Sequence, residues 1–428
     1  MRNGVDRYMS TSSCNLSFGH AVIEPIVDDA HFKRELRIAM VSLLRIALAL
    51  FAVLFFSPLV VIAAEPVLTP LVADVLSAPW PVTGSDGKRH LVYELRLGNA
   101  TPDAVQVKQI EVVNPSSDKV LLKLDQDALS KRLSLGGRRG AESSELGTGQ
   151  FGVVFLHVES DLSDPLPKVL VHRISGALTQ LGRDFEITVA PVQVIDRAPV
   201  VIGAPLRGKG FVAGDGCCDT IRHVRALLPL NGQFFLAQRF AIDWEQIDGE
   251  GRLLKGDPKR VTSYNIFGRE VHAVADGKVV SSRNDLKEQV PGALPEGLPV
   301  DEVDGNFVVL DIGGGAYVNY AHMQPGSVTV KAGDSVKRGM VLGKVGNTGN
   351  SQEPHLHLHV MDGPSPLMSN GIPYVFDDFT LTAIDKAGTA DFDKAAETGL
   401  PMTLTQVSPA QQLRNVLPLD LTVVDFSH

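Results

Sequence analysis

Pro354-His355-Leu356-His357-Leu358-His359-Val360 is the segment of this sequence best equipped for chemistry. In a β-strand alternate side chains share a face, so three histidines spaced by two project together, with Cα atoms roughly 7 Å apart along the strand. One imidazole of such a row can hold a metal while the next reaches a bound water or substrate. Two further segments end apolar strand patterns on residues of the same kind. Gln238-Arg239-Phe240-Ala241-Ile242-Asp243-Trp244 closes on a carboxylate that needs a partner or a cation if it is buried. Tyr317-Val318-Asn319-Tyr320-Ala321-His322 closes on a histidine. Two histidines and one aspartate from separate strands, with a coordination position left open, are the donor set of a catalytic rather than a structural zinc.

These strands need a scaffold. Six of the twelve histidines fall between His223 and His359, and 40 glycines and 26 prolines suit a loop-rich β protein. At 428 residues the chain is long enough for two domains. Residues 65–199 alternate in short runs, such as His90-Leu-Val-Tyr-Glu-Leu-Arg-Leu and Lys168-Val-Leu-Val-His-Arg-Ile. Turn signals separate them, which predicts an accessory β-sandwich of an immunoglobulin-like kind. His157 and His172 there read as packing or surface residues. Residues 200–376 predict a second, mainly antiparallel β domain that carries the chemistry. Residues 377–428 form an extension with two alternating segments. The fold class expected is all-β throughout.

A formal charge of −9 argues against nucleic acid as a partner, since a phosphate backbone is held by clustered Lys and Arg. Residues 46–64 form an uncharged apolar run behind Lys33, Arg34, Arg37 and Arg45, with Ile62 and Ala64 placed for cleavage before Glu65. That order is a secretory signal and predicts a periplasmic or secreted protein. An uncleaved membrane anchor is the alternative, and Met40 is an alternative start that leaves residues 1–39 as an upstream extension. Of three cysteines, Cys14 precedes this segment. Cys217 and Cys218 are adjacent and could form a vicinal bridge, stay thiols or offer a metal ligand.

Within the second half the motifs resemble the lysostaphin-type metallopeptidases that cleave peptides of bacterial peptidoglycan. That family carries a His-x-x-x-Asp segment, a Tyr-x-His segment, and a His-Leu-His preceded by Gly-Asn-[Ser/Thr]-Gly. Tyr320-Ala321-His322 is similar to the second element, and Gly346-Asn347-Thr348-Gly349 followed by His355-Leu356-His357 to the third. The resemblance implies a zinc-dependent endopeptidase with Asp243 and His357 as metal ligands and His322 and His355 as catalytic residues. One position departs: the first ligand of His-x-x-x-Asp falls on Arg239, and an always-charged guanidinium cannot ligate zinc. His223 is the replacement expected. Asn231-Gly232 signals a hairpin whose arms run from about His223 to Pro229 and from Gln233 to Arg239, opposing His223 to Arg239 or Phe240 according to loop length. Cys217, Cys218 and His359 are the other candidates. A degenerate domain acting as a cell-wall binding or hydrolase-activating module is the alternative function. A biotinyl or lipoyl carrier is disfavoured, since no hairpin tip presents the lysine it requires. Asn306 and Asn319 are expected to orient backbone or substrate, and the insert 285–305 to edge the substrate groove.

Overall fold

The structure, a computed structural model, describes residues 66–136 and 142–426, with positions 34, 37, 38, 40 and 41. The apolar run 46–64 lies outside the described residues. Among these, no helix is long and apolar enough to cross a membrane.

Residues 71–193 build a β-sandwich. One sheet takes Leu71–Val75, Lys88–Asn99, Phe151–Asp161 and Leu133–Leu135 in that order, with Val82–Thr83 on the edge of Lys88–Asn99. The other takes Arg183–Gln193, Val169–Leu178, Val105–Asn114 and Lys119–Leu124, with Glu145–Leu146 beside Val105–Asn114. The alternation read from sequence is the cause. Leu91, Tyr93, Leu95 and Leu97 face Val105, Val107, Ile110 and Ile174 in one apolar core. A short helix, Gln126–Arg132, was not foreseen; Asp125 caps it by accepting from the Ala128 amide at 2.9 Å.

His172 lies in this core. Its Nδ1 faces the Ala190 carbonyl at 3.0 Å and its Nε2 the Tyr93 hydroxyl at 3.0 Å. Burial holds its imidazole down at about 4. The unfolded chain, with an ordinary histidine near 6.5, then binds more protons between those two values, so stability is lost as pH falls through that window. From pH 7 to pH 5 the loss attributable to His172 is about 2 kcal/mol. Urea unfolding at both pH values should show this slope, reduced by that amount in His172→Asn.

The strand Lys88–Asn99 is buried on both faces, because its other set of residues, including Val92 and Glu94, packs against the second half of the chain. Leu68–His428 accordingly forms one unit. The second half is organised by a ten-stranded antiparallel sheet. In spatial order it runs Ser335–Val336, Gly277–Arg283, Asn306–Gly313, Ala316–Met323, Leu356–Met361, Ile242–Gln246, Gly208–Gly214, Thr422–Phe426, Phe379–Asp385 and Leu404–Leu413. The last three come from the segment after Phe376, which therefore completes the sheet and adds a helix, Thr389–Thr398. Val200–Ile202 pairs in parallel with Tyr374–Phe376. The core below the sheet is packed from Phe211, Trp244, Val308, Val318, Leu356, Leu358, Phe376 and Phe426.

The expected hairpin is present but short. Leu228–Leu230 pairs with Gln233–Phe235 around a two-residue loop, Asn231 and Gly232, whose φ values of 48° and 77° suit a tight turn that follows strand twist. The ladder stops at Leu228 opposite Phe235, so strand register does not place His223.

Candidate metal centre

Three adjacent strands converge on one row. Asp243 stands directly opposite His357, and His357 directly opposite Ala321. Residues opposite one another share a face, as do alternate residues along a strand, so Asp243, His355, His357 and His359 project from the same side. The remaining face carries Leu356 and Leu358 into the core, which explains the Leu spacers of the His row.

By alternation His322, next to Ala321, would point the other way. Its backbone prevents that: φ is 62°, in the left-handed region, and the pairing with Asn306–Gly313 shifts register between Val308 and Asn306. Such a conformation costs a non-glycine residue on the order of 1–3 kcal/mol. It turns the ring back towards His355, with centroids 4.7 Å apart, and towards His357, at 5.8 Å.

His223 arrives from the loop after Gly208–Gly214. Its Nδ1 lies 3.0 Å from the Asp215 carbonyl, and Asp215 itself is turned by a φ of 51°. Arg222 holds this loop by bridging Asp215 at 2.9 Å and Asp393 of the Thr389–Thr398 helix at 2.8 Å. The pattern repeats around the site. His322 Nδ1 donates to the Thr348 carbonyl at 2.7 Å and His355 Nδ1 to the Glu353 carbonyl at 2.7 Å. A proton fixed on Nδ1 leaves the Nε2 lone pair free, and in all three rings that atom is available to the cluster.

Asp243 sits at the centre. Its Oδ2 is 3.2 Å from His223 Nε2, and its Oδ1 is 2.8 Å from His357 Nδ1 and 3.4 Å from His355 Nε2. His357 is the reversed ring: its Nε2 contacts His359 Nδ1 at 2.8 Å, so His359 lies behind His357 rather than at the carboxylate. Donor atoms of His223, Asp243 and His357 all fall within 4.8 Å of one another, and so do those of His322, His355 and His357. Cys217 and Cys218 are joined to each other as a disulfide and do not enter either set.

The charges suit a cation. Burial opposes ionisation of Asp243, but the surrounding His223, His355 and His357 outweigh it and hold the carboxyl well below its usual range. Burial holds His357 and His322 down, neutral at pH 7. Burial also opposes charge on His223, yet the Asp243 carboxylate prevails and holds it up at about 9. A cation seated between the two would displace that proton. Two imidazoles and one carboxylate, oriented by backbone carbonyls and a further histidine, match what a catalytic zinc requires.

Arg239 is turned away from this cluster. Its Nε and Nη2 each donate to Glu94 of the sandwich at 2.7 Å and its Nη1 to the Gly371 carbonyl at 2.7 Å. Glu94 is fully buried and Arg239 nearly so. The position that would hold the family's first histidine thus fastens the two halves of the molecule together.

A cleft of about 300 Å³ lies over the cluster, lined by Gln238, Asp243, Leu294, Asp304, His322 and His355, among others. Leu294 and Asp304 come from the insert 285–305, which Asn306 and Asn319 hold down. Asn306 Nδ2 donates to the Leu286 carbonyl at 2.8 Å, and Asn319 Nδ2 to Asp304 Oδ1 at 2.8 Å. Glu353 and Asp304 of the cleft escaped the sequence reading: burial pushes Glu353 up to about 7 and Asp304 up to about 6.

Residues 262–368 match Peptidase family M23, a span that includes His322, His355 and His357. The C-terminal region carries a peptidase M23 domain. The chain is 28% identical over 193 residues to the peptidoglycan DD-endopeptidase ShyA of Vibrio cholerae, covering 40% of this chain and 41% of that protein. It is 32% identical over 108 residues to the DD-carboxypeptidase/endopeptidase Mpg of Neisseria meningitidis, covering 24% of each. The match thus spans less than half the length of these relatives. Among solved structures, the catalytic domain of lysostaphin from Staphylococcus simulans aligns at 22% identity over 39% of this chain and 88% of that one, with a TM-score of 0.21. His223 and Asp243 precede the matched span, so their part in the cluster rests on the geometry above.

Proposed function

We propose that this chain is a zinc-dependent endopeptidase that hydrolyses peptide bonds in peptidoglycan, in its cross-links or its stem peptides, outside the cytoplasm. The observation that carries the reading is the convergence of His223, Asp243 and His357 beside His322 and His355 at the floor of one cleft. The M23 match and the activities named for the relatives support the substrate class. His223 Nε2, Asp243 and His357 Nδ1 would hold the metal. Zinc bound there would acidify a water to a pKa of about 7 and polarise the scissile carbonyl.

The chain supplies the rest. His322, neutral and pinned through Nδ1 by Thr348, presents Nε2 to take a proton from the attacking water and return it to the departing amine. His355, pinned in the same way by Glu353, turns its Nε2 into the same space, where it takes up a proton and then donates it as a hydrogen bond to the oxygen on which charge develops. The insert 285–305 walls the cleft and is placed to contact the strand flanking the bond. The domain division proposed is a sandwich module over 65–199 that positions the peptidase over 200–376, with the residues beyond completing its sheet.

Cleavage of purified cross-linked peptidoglycan fragments, followed by mass spectrometry of the products, tests the reading. His322→Ala and His355→Ala should each retain zinc and lose about 10²–10⁴-fold in kcat. Retained activity in both would remove the proposed proton-handling pair. Zinc-loaded wild type that cleaves no fragment would favour a binding module.

A further inference from the structure

The outer face of the sandwich carries a second cluster that this chemistry does not use. His90 and His157 stack with ring centroids 5.2 Å apart, and His90 Nδ1 lies 2.9 Å from His157 Nε2. The other nitrogen of His90 is 3.0 Å from Asp86 Oδ1. That carboxylate fixes the proton on His90 Nε2 and turns the Nδ1 lone pair towards His157, the arrangement that orients metal-binding histidines elsewhere. The approach depends on Gly84, where a Cβ would come within 2.7 Å of His90 Nε2 and 2.9 Å of Asp86 Oδ1.

The third donor comes from the other half of the chain. Cys218 Sγ and one ring nitrogen of each histidine lie within 4.8 Å of one another. Glu159 Oε1 is 3.9 Å from His157 Nε2. These groups line an open cleft of about 810 Å³ together with Cys217, Asp219 and Asp420. Two imidazoles and one sulfur are donor types that a borderline-soft divalent cation takes, and the Glu159 carboxylate, paired with Lys88 at 3.0 Å, stands nearby. The sulfur is engaged in the Cys217–Cys218 disulfide, and the thiolate is the form that ligates.

We infer that His90, His157 and Cys218 form a second zinc site, masked by the Cys217–Cys218 disulfide and opened when a dithiol reduces it. The dithiol attacks one sulfur, passes through a mixed disulfide and leaves as its cyclic disulfide, while Cys217 and Cys218 gain its two hydrogens as thiols. On metal entry Cys218 releases its thiol proton to solvent, and His157 moves its proton to Nδ1 to free the Nε2 lone pair. Cys218 belongs to the loop between Asp215 and His223, and Thr220 Oγ1 contacts the Asp215 carbonyl at 3.2 Å. Metal at this site would tie to the sandwich the same loop that delivers His223.

Cobalt(II) titration of the full chain decides the matter, because a thiolate–cobalt charge-transfer band reports Cys218 and cannot arise from the sulfur-free cluster at Asp243. Disulfide-intact protein should show no such band. Dithiothreitol-reduced wild type and Cys217→Ser, which needs no reductant, should each show it and bind one more metal per chain. Cys218→Ser should abolish the band, and Asp86→Asn should weaken the extra site about 10–100-fold. Absence of the band in both reduced wild type and Cys217→Ser would overturn the inference. So would a band of undiminished affinity in His157→Gln, which would show the thiolate binding without the histidines. Loss of metal at the Asp243 cluster would leave the band in place, so the two sites fail separately.

Discussion

His357→Ala and His223→Ala are each expected to lose bound zinc and to reduce peptide-bond hydrolysis by about 10³-fold or more. The magnitude follows from the several kcal/mol of transition-state charge stabilisation that a catalytic metal supplies, at a factor of ten in rate per 1.36 kcal/mol. His357 and His223 approach opposite oxygens of one carboxylate, at 2.8 Å and 3.2 Å, so removing either leaves two donors where a catalytic zinc takes three. The two variants should differ in stability. His357 lies mid-strand and is buried, with His359 stacked edge-on behind it, whereas His223 lies in a loop outside any ladder. Kinetics of fragment cleavage alongside metal content would check both. Loss of activity with zinc fully retained in His223→Ala would assign that residue to substrate rather than to metal.

Arg239→His, which restores the residue type of the family's His-x-x-x-Asp, should cost about 3–5 kcal/mol of stability and bring no gain in zinc affinity. The guanidinium meets both Glu94 oxygens and the Gly371 carbonyl, three charge-assisted contacts at 2.7 Å that an imidazole cannot reproduce. Glu94 is then left as a buried carboxylate without its partner, the costly half of breaking such a pair. Replacing both members, as in Arg239→Met with Glu94→Leu, should recover most of the loss. Urea denaturation of the two single variants and the double variant measures this directly. A double variant as unstable as the single ones would mean that packing around Arg239, not the ion pair, holds this junction.

Local pattern carried the candidate site further than it carried the path of the chain. The His355–His357–His359 row and Asp243 were readable because strand alternation is a local rule, and the sheet obeys it at Asp243, His357 and His359. His322 was recognisable only by motif, since alternation alone sends it to the opposite face and a left-handed φ brings it back. His223 could be named but not placed. The hairpin expected to carry it ends at Leu228, and the residue is set instead by the Asp215 carbonyl and the Arg222 bridge to Asp393, which no spacing reveals. Arg239 looked like a vacancy in a motif because its partner, Glu94, stands 145 residues away in the sandwich. For the same reason the strands after Phe376 could be recognised as alternating, while their place in the peptidase sheet, next to Gly208–Gly214, depends on non-local pairing.

The central claim is a single catalytic zinc held by His223, Asp243 and His357, and metal analysis of the chain tests it most directly. Wild type and His223→Ala, purified without reductant and dialysed against the same zinc buffer, would be compared by mass spectrometric metal quantitation. A zinc held by these three residues requires about one zinc per chain in wild type and none in the variant. Zinc-free wild type, or a variant that keeps its metal, would contradict it.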